Sequence, residues 1–250
     1  MSISEIQLTK RRLLSGIALA AASVALAACN DSKDAADASS SGKTMQDGTN
    51  VDTIKTAATS SAEIPQPDGN VDMAEVLKPG PLPEMALGKE DAPVTIVEYM
   101  SMTCPHCAHF HNTTFDQIKA KYIDTGKVRF IIREFPFDPR AAAAFMLARC
   151  APPEQYFPMV AMLFKQQQTW AAAEDGRNAL LQMSRLAGFT EDSFTKCLTN
   201  QKLLDDVNAT RERGAKDFGI NATPTFLING KRYSGDMSFD TMSALIDSLL

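Results

Sequence analysis

The 250-residue sequence predicts an α/β domain built as β-α-β, then an all-helical insertion, then β-β-α. Three observations predict it. Two β-branched runs flank one amphipathic helix, the pattern of parallel strands joined by a crossover. The stretch from about 138 to 218 carries helical patterns and no strand pattern. An Asn-Gly pair between two apolar runs then marks a hairpin.

The elements follow in order. Val94-Thr95-Ile96-Val97-Glu98-Tyr99 is the first strand; runs of this kind suit a pleated, half-buried surface. Pro105 to Ile123 is the first helix, with Phe110, Phe115, Ile118 and Tyr122 at helical spacing. Lys127-Val128-Arg129-Phe130-Ile131-Ile132 is the second strand. In the insertion, Ala141–Ala144 leads into Phe145 and Leu147. Tyr156, Met159, Val160, Leu163 and Phe164 form a stripe, Gly188 stops a third helix, and Leu203, Leu204 and Val207 belong to a last one ending near Gly219. Thr225-Phe226-Leu227-Ile228 and Lys231-Arg232-Tyr233 pair across Asn229-Gly230. Phe239 to Leu250 closes the domain as a helix carrying Met242, Leu245, Ile246 and Leu249.

The aromatic residues bound this domain. All 18 fall at Tyr99 or later, so the first third lacks the large side chains a core needs. Residues 1–28 read as an export signal: Lys10-Arg11-Arg12, then an uncharged apolar stretch from Leu13 to Ala28. That stretch is short for a membrane span, which needs roughly 20 residues. It closes on Leu26-Ala27-Ala28-Cys29, which resembles the bacterial lipoprotein signal and implies cleavage before Cys29 and a lipid on its sulfur. Residues 29–82 read as a flexible tether, rich in Ser, Thr, Ala, Asp and Gly. A flexible chain of about 50 residues spans roughly 40 Å. Asp72 to Lys78 is a candidate short helix within it, stopped by Pro79, Pro81 and Pro83. The folded domain is expected over 83–250.

Charge and cysteine count narrow the function. Removing residues 1–28, with three bases and one acid, from 25 Lys+Arg and 30 Asp+Glu leaves a net charge of about −7. No basic stripe lies outside the signal, so nothing points to a nucleic-acid partner. Of five cysteines, Cys29 is assigned to lipid; Cys104, Cys107, Cys150 and Cys197 remain. In an exported protein an even number points to disulfides.

Cys104-Pro105-His106-Cys107 follows a strand and opens a helix. Unpaired amides and the positive dipole end there stabilise a thiolate on the first cysteine, and Pro105 suits the first helical position. Such cysteines titrate between roughly 3.5 and 7.5. His106 adds a cation when protonated, and Cys107 is placed to resolve a mixed disulfide. The rival assignment is zinc: Cys104, Cys107 and His111, at i, i+3 and i+7, share a helical face. The proline and the dipole favour redox chemistry, so no metal or cofactor is expected, and His109 and His111 are expected as solvated bystanders. Glu98 lies in an apolar strand where alternation buries one face, and a buried carboxyl suits proton transfer. Cys150 and Cys197 both fall in the insertion; a bridge there closes a long loop and contributes on the order of 4 kcal/mol. A second redox pair is the alternative, with no CxxC to support it.

VEYMSMTCPHC, the element order and GINATPTFLING together resemble the DsbA family of thioredoxin-fold disulfide oxidoreductases. The resemblance implies a thioredoxin fold with a helical insertion, and it extends to single residues. Cys104 matches the exposed nucleophile, Cys107 its buried partner, and Pro105 and His106 the dipeptide that tunes redox potential. Pro224 matches the cis-proline beside the disulfide, Thr223 the residue contacting substrate backbone, and Glu98 the buried proton-relaying acid. It further implies a monomeric periplasmic oxidase of exported proteins, recharged by a DsbB-like quinone-linked membrane oxidase. Isomerase or reductase action on the same fold is the runner-up, and a lipid-anchored chaperone or binding module a third possibility.

Overall fold

The computed structural model describes residues 63–250. The export signal, Cys29 and the tether as far as residue 62 lie outside the described residues. Six strands form one sheet: β1 (Gly69–Asn70), β2 (Met85–Leu87), β3 (Val94–Met100), β4 (Val128–Glu134), β5 (Thr225–Ile228) and β6 (Lys231–Ser234). Their spatial order is β1-β6-β5-β3-β4-β2, with β3 and β4 parallel and every other pair antiparallel. The parallel pair is the predicted crossover, and β5–β6 is the predicted hairpin. Asn229 and Gly230 take φ of 43° and 89°, the left-handed values that a two-residue hairpin turn with right-handed twist demands. The Asn229 side chain also accepts from Thr95 N at 2.8 Å and donates to Pro93 O at 3.1 Å, stitching the turn to β3.

Residues alternate across β3. Val94, Ile96 and Met100 join Val128, Phe130, Ile132, Phe226 and Ile228 in the larger core. Val97 and Tyr99 join Ile131, Leu227, Phe135 and Phe218 on the opposite face. Glu98 falls in register with the first set, on the face that carries Cys107.

The segment after β3 is one helical run of four pieces: α2 (Pro105–Phe110), a π-helical stretch (His111–Phe115), α3 (Asp116–Ile118) and a second π-helical stretch (Lys119–Ile123). The five-residue step from Phe110 to Phe115 is one too long for an α-helical stripe. The π turn absorbs the extra residue and keeps both rings in the core.

The insertion consists of α4 (Pro139–Cys150), a 3₁₀ turn (Pro153–Gln155), α5 (Tyr156–Lys165), α6 (Gln167–Trp170), α7 (Gly176–Leu186), α8 (Glu191–Leu198) and α9 (Gln201–Phe218). Asp138, Asp175, Thr190 and Asn200 cap α4, α7, α8 and α9 with their side chains, satisfying first-turn amides. Cys150 ends α4 and Cys197 lies on α8; their Cα atoms are 6.1 Å apart and their sulfurs are bonded. Gly214 on α9 packs under β3: a Cβ there would lie 2.5 Å from the Tyr99 ring. The closing helix α10 runs Phe239–Asp247, three residues short of the expected end.

The expected tether is corrected at its C-terminal end. β1 pairs with β6 and β2 with β4, so this segment supplies both edge strands of the sheet. The short helix α1 (Met73–Val76), capped by Asp72, packs with them: Val76 is buried, and Val71, Met73 and Leu77 lie against the second core. Arg232 donates to Asp68, Arg213 to the carbonyls of Glu75 and Lys78, and Arg149 to that of Pro83. Composition misleads here because the segment builds no core of its own; it covers apolar surface supplied by the sheet.

Candidate active site

β3 ends at Met100, and a tight turn delivers Cys104, whose amide donates to Ser101 O at 3.1 Å. Cys104 is the extended N-cap residue of α2, and Pro105 follows in the first turn. Pro105 and His106 are exposed, Cys104 is half-buried, and Cys107 is fully enclosed in the larger core. The β3–β5 register, with Tyr99 opposite Thr225, brings the loop before β5 to the same end of the sheet. That loop carries the cis Thr223-Pro224 bond. The Cys104 thiol donates to Thr223 O at 3.2 Å. Thr223 Oγ1 is buried without another partner, free to donate to the sulfur when it is a thiolate.

The two sulfurs titrate in opposite directions. Cys104 is lowered from 9.0 to about 5, first by the hydrogen bond from the Cys107 thiol, against its own partial burial. Thr223 and the backbone amides of Cys107 and His106 lower it further. Burial pushes Cys107 far up, and the neighbouring Cys104 sulfur and the Glu98 charge push the same way. His106 thus reaches the sulfur through its backbone N–H, while its ring stands in solvent.

Glu98 is fully buried, and its Oε2 lies 2.9 Å from Nε2 of His111. The expectation that His111 is a bystander is therefore corrected: four residues after Cys107, it falls on the same inner helical face, and its side chain is 4% exposed. His109 does face outward, where it pairs with Asp236 in the loop after β6. Among the described residues no group of three or more His, Cys, Asp or Glu side chains is arranged to hold a metal ion.

Sequence reasoning missed Gln167. Buried at the start of α6, it donates through Nε2 to Met102 O at 2.8 Å and Cys104 O at 2.9 Å, so the insertion grips the active-site turn. Thr103 Oγ1 adds a bond to Asp138 Oδ2, the capping residue of α4. Nothing in a Gln-Gln-Gln run distinguishes the middle residue; only helix docking selects it. An open cleft of about 620 Å³ runs beside Pro105, lined by Thr103, Asp138, Arg140, Gln167 and Ala171.

A CPHC pair at the mouth of a helix, facing a cis-proline loop across a mixed sheet, defines a thioredoxin-fold dithiol protein. A thioredoxin family model matches residues 82–248. A Rickettsia bellii protein provisionally named a protein-disulfide oxidoreductase is 34% identical over 67% of this chain and 64% of its own length. A Rickettsia conorii relative with the same provisional name is 36% identical, with 60% of its length covered. The chain thus spans under two thirds of the length of these curated relatives. The crystal structure of Wolbachia pipientis alpha-DsbA1 superposes with a TM-score of 0.65 at 33% identity, covering 70% of this chain and 94% of that one. The chain belongs to the DsbA family, with the thioredoxin fold and helical insertion that membership entails.

Proposed function

We propose that this chain is a thiol:disulfide oxidoreductase that donates a Cys104–Cys107 disulfide to substrate thiols. The observation that carries it is the split between the two sulfurs: Cys104 lowered to about 5 and Cys107 raised by burial. A stabilised thiolate favours the dithiol form, which makes the disulfide oxidising. Cys104 receives the attack, being the accessible sulfur, and Cys107 is the enclosed leaving group. Pro105 and His106 form the exposed rim, and Thr223 and Pro224 offer backbone beside the sulfur for an extended substrate. Glu98 serves the Cys107 proton.

Reduced, unfolded exported proteins are the substrates proposed, and a DsbB-like quinone-linked membrane oxidase the recharging partner. The export signal and Cys29 motif support a periplasmic protein held to a membrane by lipid; mass spectrometry of the membrane-extracted protein would find a diacylglyceryl group on Cys29, and an unmodified Cys29 refutes the anchor.

The deciding measurement is the redox equilibrium of the pair with glutathione, together with oxidation of a reduced peptide. The disulfide should be more oxidising than glutathione, and Cys104→Ser should abolish peptide oxidation. Unchanged turnover in Cys104→Ser refutes the enzyme. A reducing equilibrium turns the direction to isomerase or reductase.

A further inference from the structure

Glu98 and His111 form an enclosed pair on the face of the sheet that carries Cys107. Nε2 and Oε2 are 2.9 Å apart, and the two side chains are 4% and 0% exposed. Glu98 Oε1 is sealed from solvent with no hydrogen-bond partner, and the Glu98 charge bears on Cys107. The imidazole is held by rings rather than by polar groups: it stacks on Phe164 at 4.7 Å and 22°, and lies 4.9 Å from Phe115. Its Nδ1 has no partner among the described residues, yet is not among the fully enclosed polar atoms. Packing that fixes a ring so closely, with one nitrogen on a buried acid and the other unengaged, leaves a path for a proton through the ring. An imidazole can accept at one nitrogen and release at the other.

We propose that His111 is a positioning and relay residue: it fixes Glu98 through Nε2 and conducts protons between solvent, at Nδ1, and the acid that serves Cys107. This rests on the oxidoreductase function proposed above. In the step concerned, a substrate thiolate attacks Cys104. The Cys104–Cys107 bond breaks, a Cys104–substrate bond forms, and the electron pair of the broken bond departs on Cys107. The enclosed thiolate takes a proton through Glu98, which is resupplied from Nε2 while a solvent proton enters at Nδ1. The second substrate thiol then loses its proton and attacks the substrate sulfur of the mixed disulfide, releasing Cys104 as a thiolate. The substrate dithiol loses two electrons and the enzyme disulfide gains them; of the dithiol's two protons, one is matched on Cys107 and one goes to solvent.

On the elements packed about the ring, the buried titratable groups are Glu98 on β3, Cys107 on α2 and Tyr156 on α5, which donates to Glu134; Cys104, the N-cap of α2, is half-buried, and His106 and His109 on α2 are exposed. Asp116 on α3, Lys165 on α5, and Asp240 and Asp247 on α10 are exposed.

The test is rapid-mixing kinetics of the oxidised full chain with a reduced dithiol peptide, between about pH 5 and 8, in H₂O and D₂O, for wild type, His111→Gln and His111→Phe. Gln keeps a donor to Glu98 but cannot relay; Phe keeps the stacking alone. Positioned proton transfer contributes roughly 10²–10⁴-fold, so both variants should be slowed at least ten-fold, with a flattened pH profile. The glutathione equilibrium and the Cys104 titration should stay near wild type. Wild-type rates in either variant, or a loss confined to His111→Phe, overturns the relay. Should both variants unfold, a wild-type rate insensitive to D₂O overturns it instead. If wild type itself fails to oxidise the peptide, the oxidoreductase function fails and the relay with it; an active wild type with unaffected variants removes the relay alone.

Discussion

The Cys104 sulfur lies 3.2 Å from the carbonyl oxygen of Thr223, a residue 119 positions further along the chain. Two local features meet there. α2 begins at Cys104, and the β3–β5 register sets the loop before Thr225 beside it. A one-residue slip of β5 would turn its side chains to the other face and move the loop along the sheet. The site thus depends on the antiparallel pairing as much as on the CPHC turn.

The first prediction concerns the donors to the Cys104 thiolate. The Cys107 thiol is the leading one, so Cys107→Ala should raise the Cys104 pKa, and Cys107→Ser, which keeps an O–H donor, should raise it less. His106→Ser should raise it least, because the backbone N–H remains. The ultraviolet absorbance of the thiolate against pH gives all three; a larger rise for His106→Ser than for Cys107→Ala would make the ring the dominant cation.

The pH dependence of stability follows in sign. Cys104 falls from 9.0 in the unfolded chain to about 5 in the folded one, so the folded dithiol binds fewer protons between those values. Its stabilisation is complete above pH 9 and is lost as pH falls through 5, amounting to about 2 kcal/mol at pH 7 for this half-buried group. The raised Cys107 is protonated in both states below pH 9 and adds nothing there. The disulfide form has neither thiol to titrate. Denaturant unfolding of both forms should show the dithiol form losing this advantage on going from pH 7 to 4.5; parallel curves would contradict the shift.

The Cys150–Cys197 bridge joins α4 to α8. Cys150→Ala with Cys197→Ala should cost about 2–4 kcal/mol by relaxing the constraint on the unfolded chain. The Cys104 titration should not move. A changed redox equilibrium at the CPHC pair would show the bridge to be coupled to it.

The strap from Asp68 to Leu87 should resist protease, because its ends are paired into the sheet and its carbonyls are held by arginines. Arg232 donates to Asp68, Phe218 and Gly219. Arg232→Ala should lower stability by about 1–2 kcal/mol and open cleavage near Asp68. Equal cleavage rates in the two proteins would show that the strap is not held there.

Much of this molecule was determined by the sequence alone. The β-branched runs at Val94 and Val128, the Asn229-Gly230 turn and the capped helices of the insertion are local patterns, set by backbone and side-chain preferences within a few residues. The CPHC turn is local too, since strand, proline and helix start are contiguous. What only the tertiary structure decided lies across long separations. His111 has the spacing of a surface or an inner residue alike, until Phe164 on α5 closes over it and Glu98 on β3 meets it. Gln167 is indistinct within its run until α6 docks on the active-site turn. Residues 68–87 lack a core of their own and become ordered because the sheet exposes one for them to cover. In each case the deciding energy is burial or hydrogen bonding between segments far apart in the chain, which no local pattern encodes.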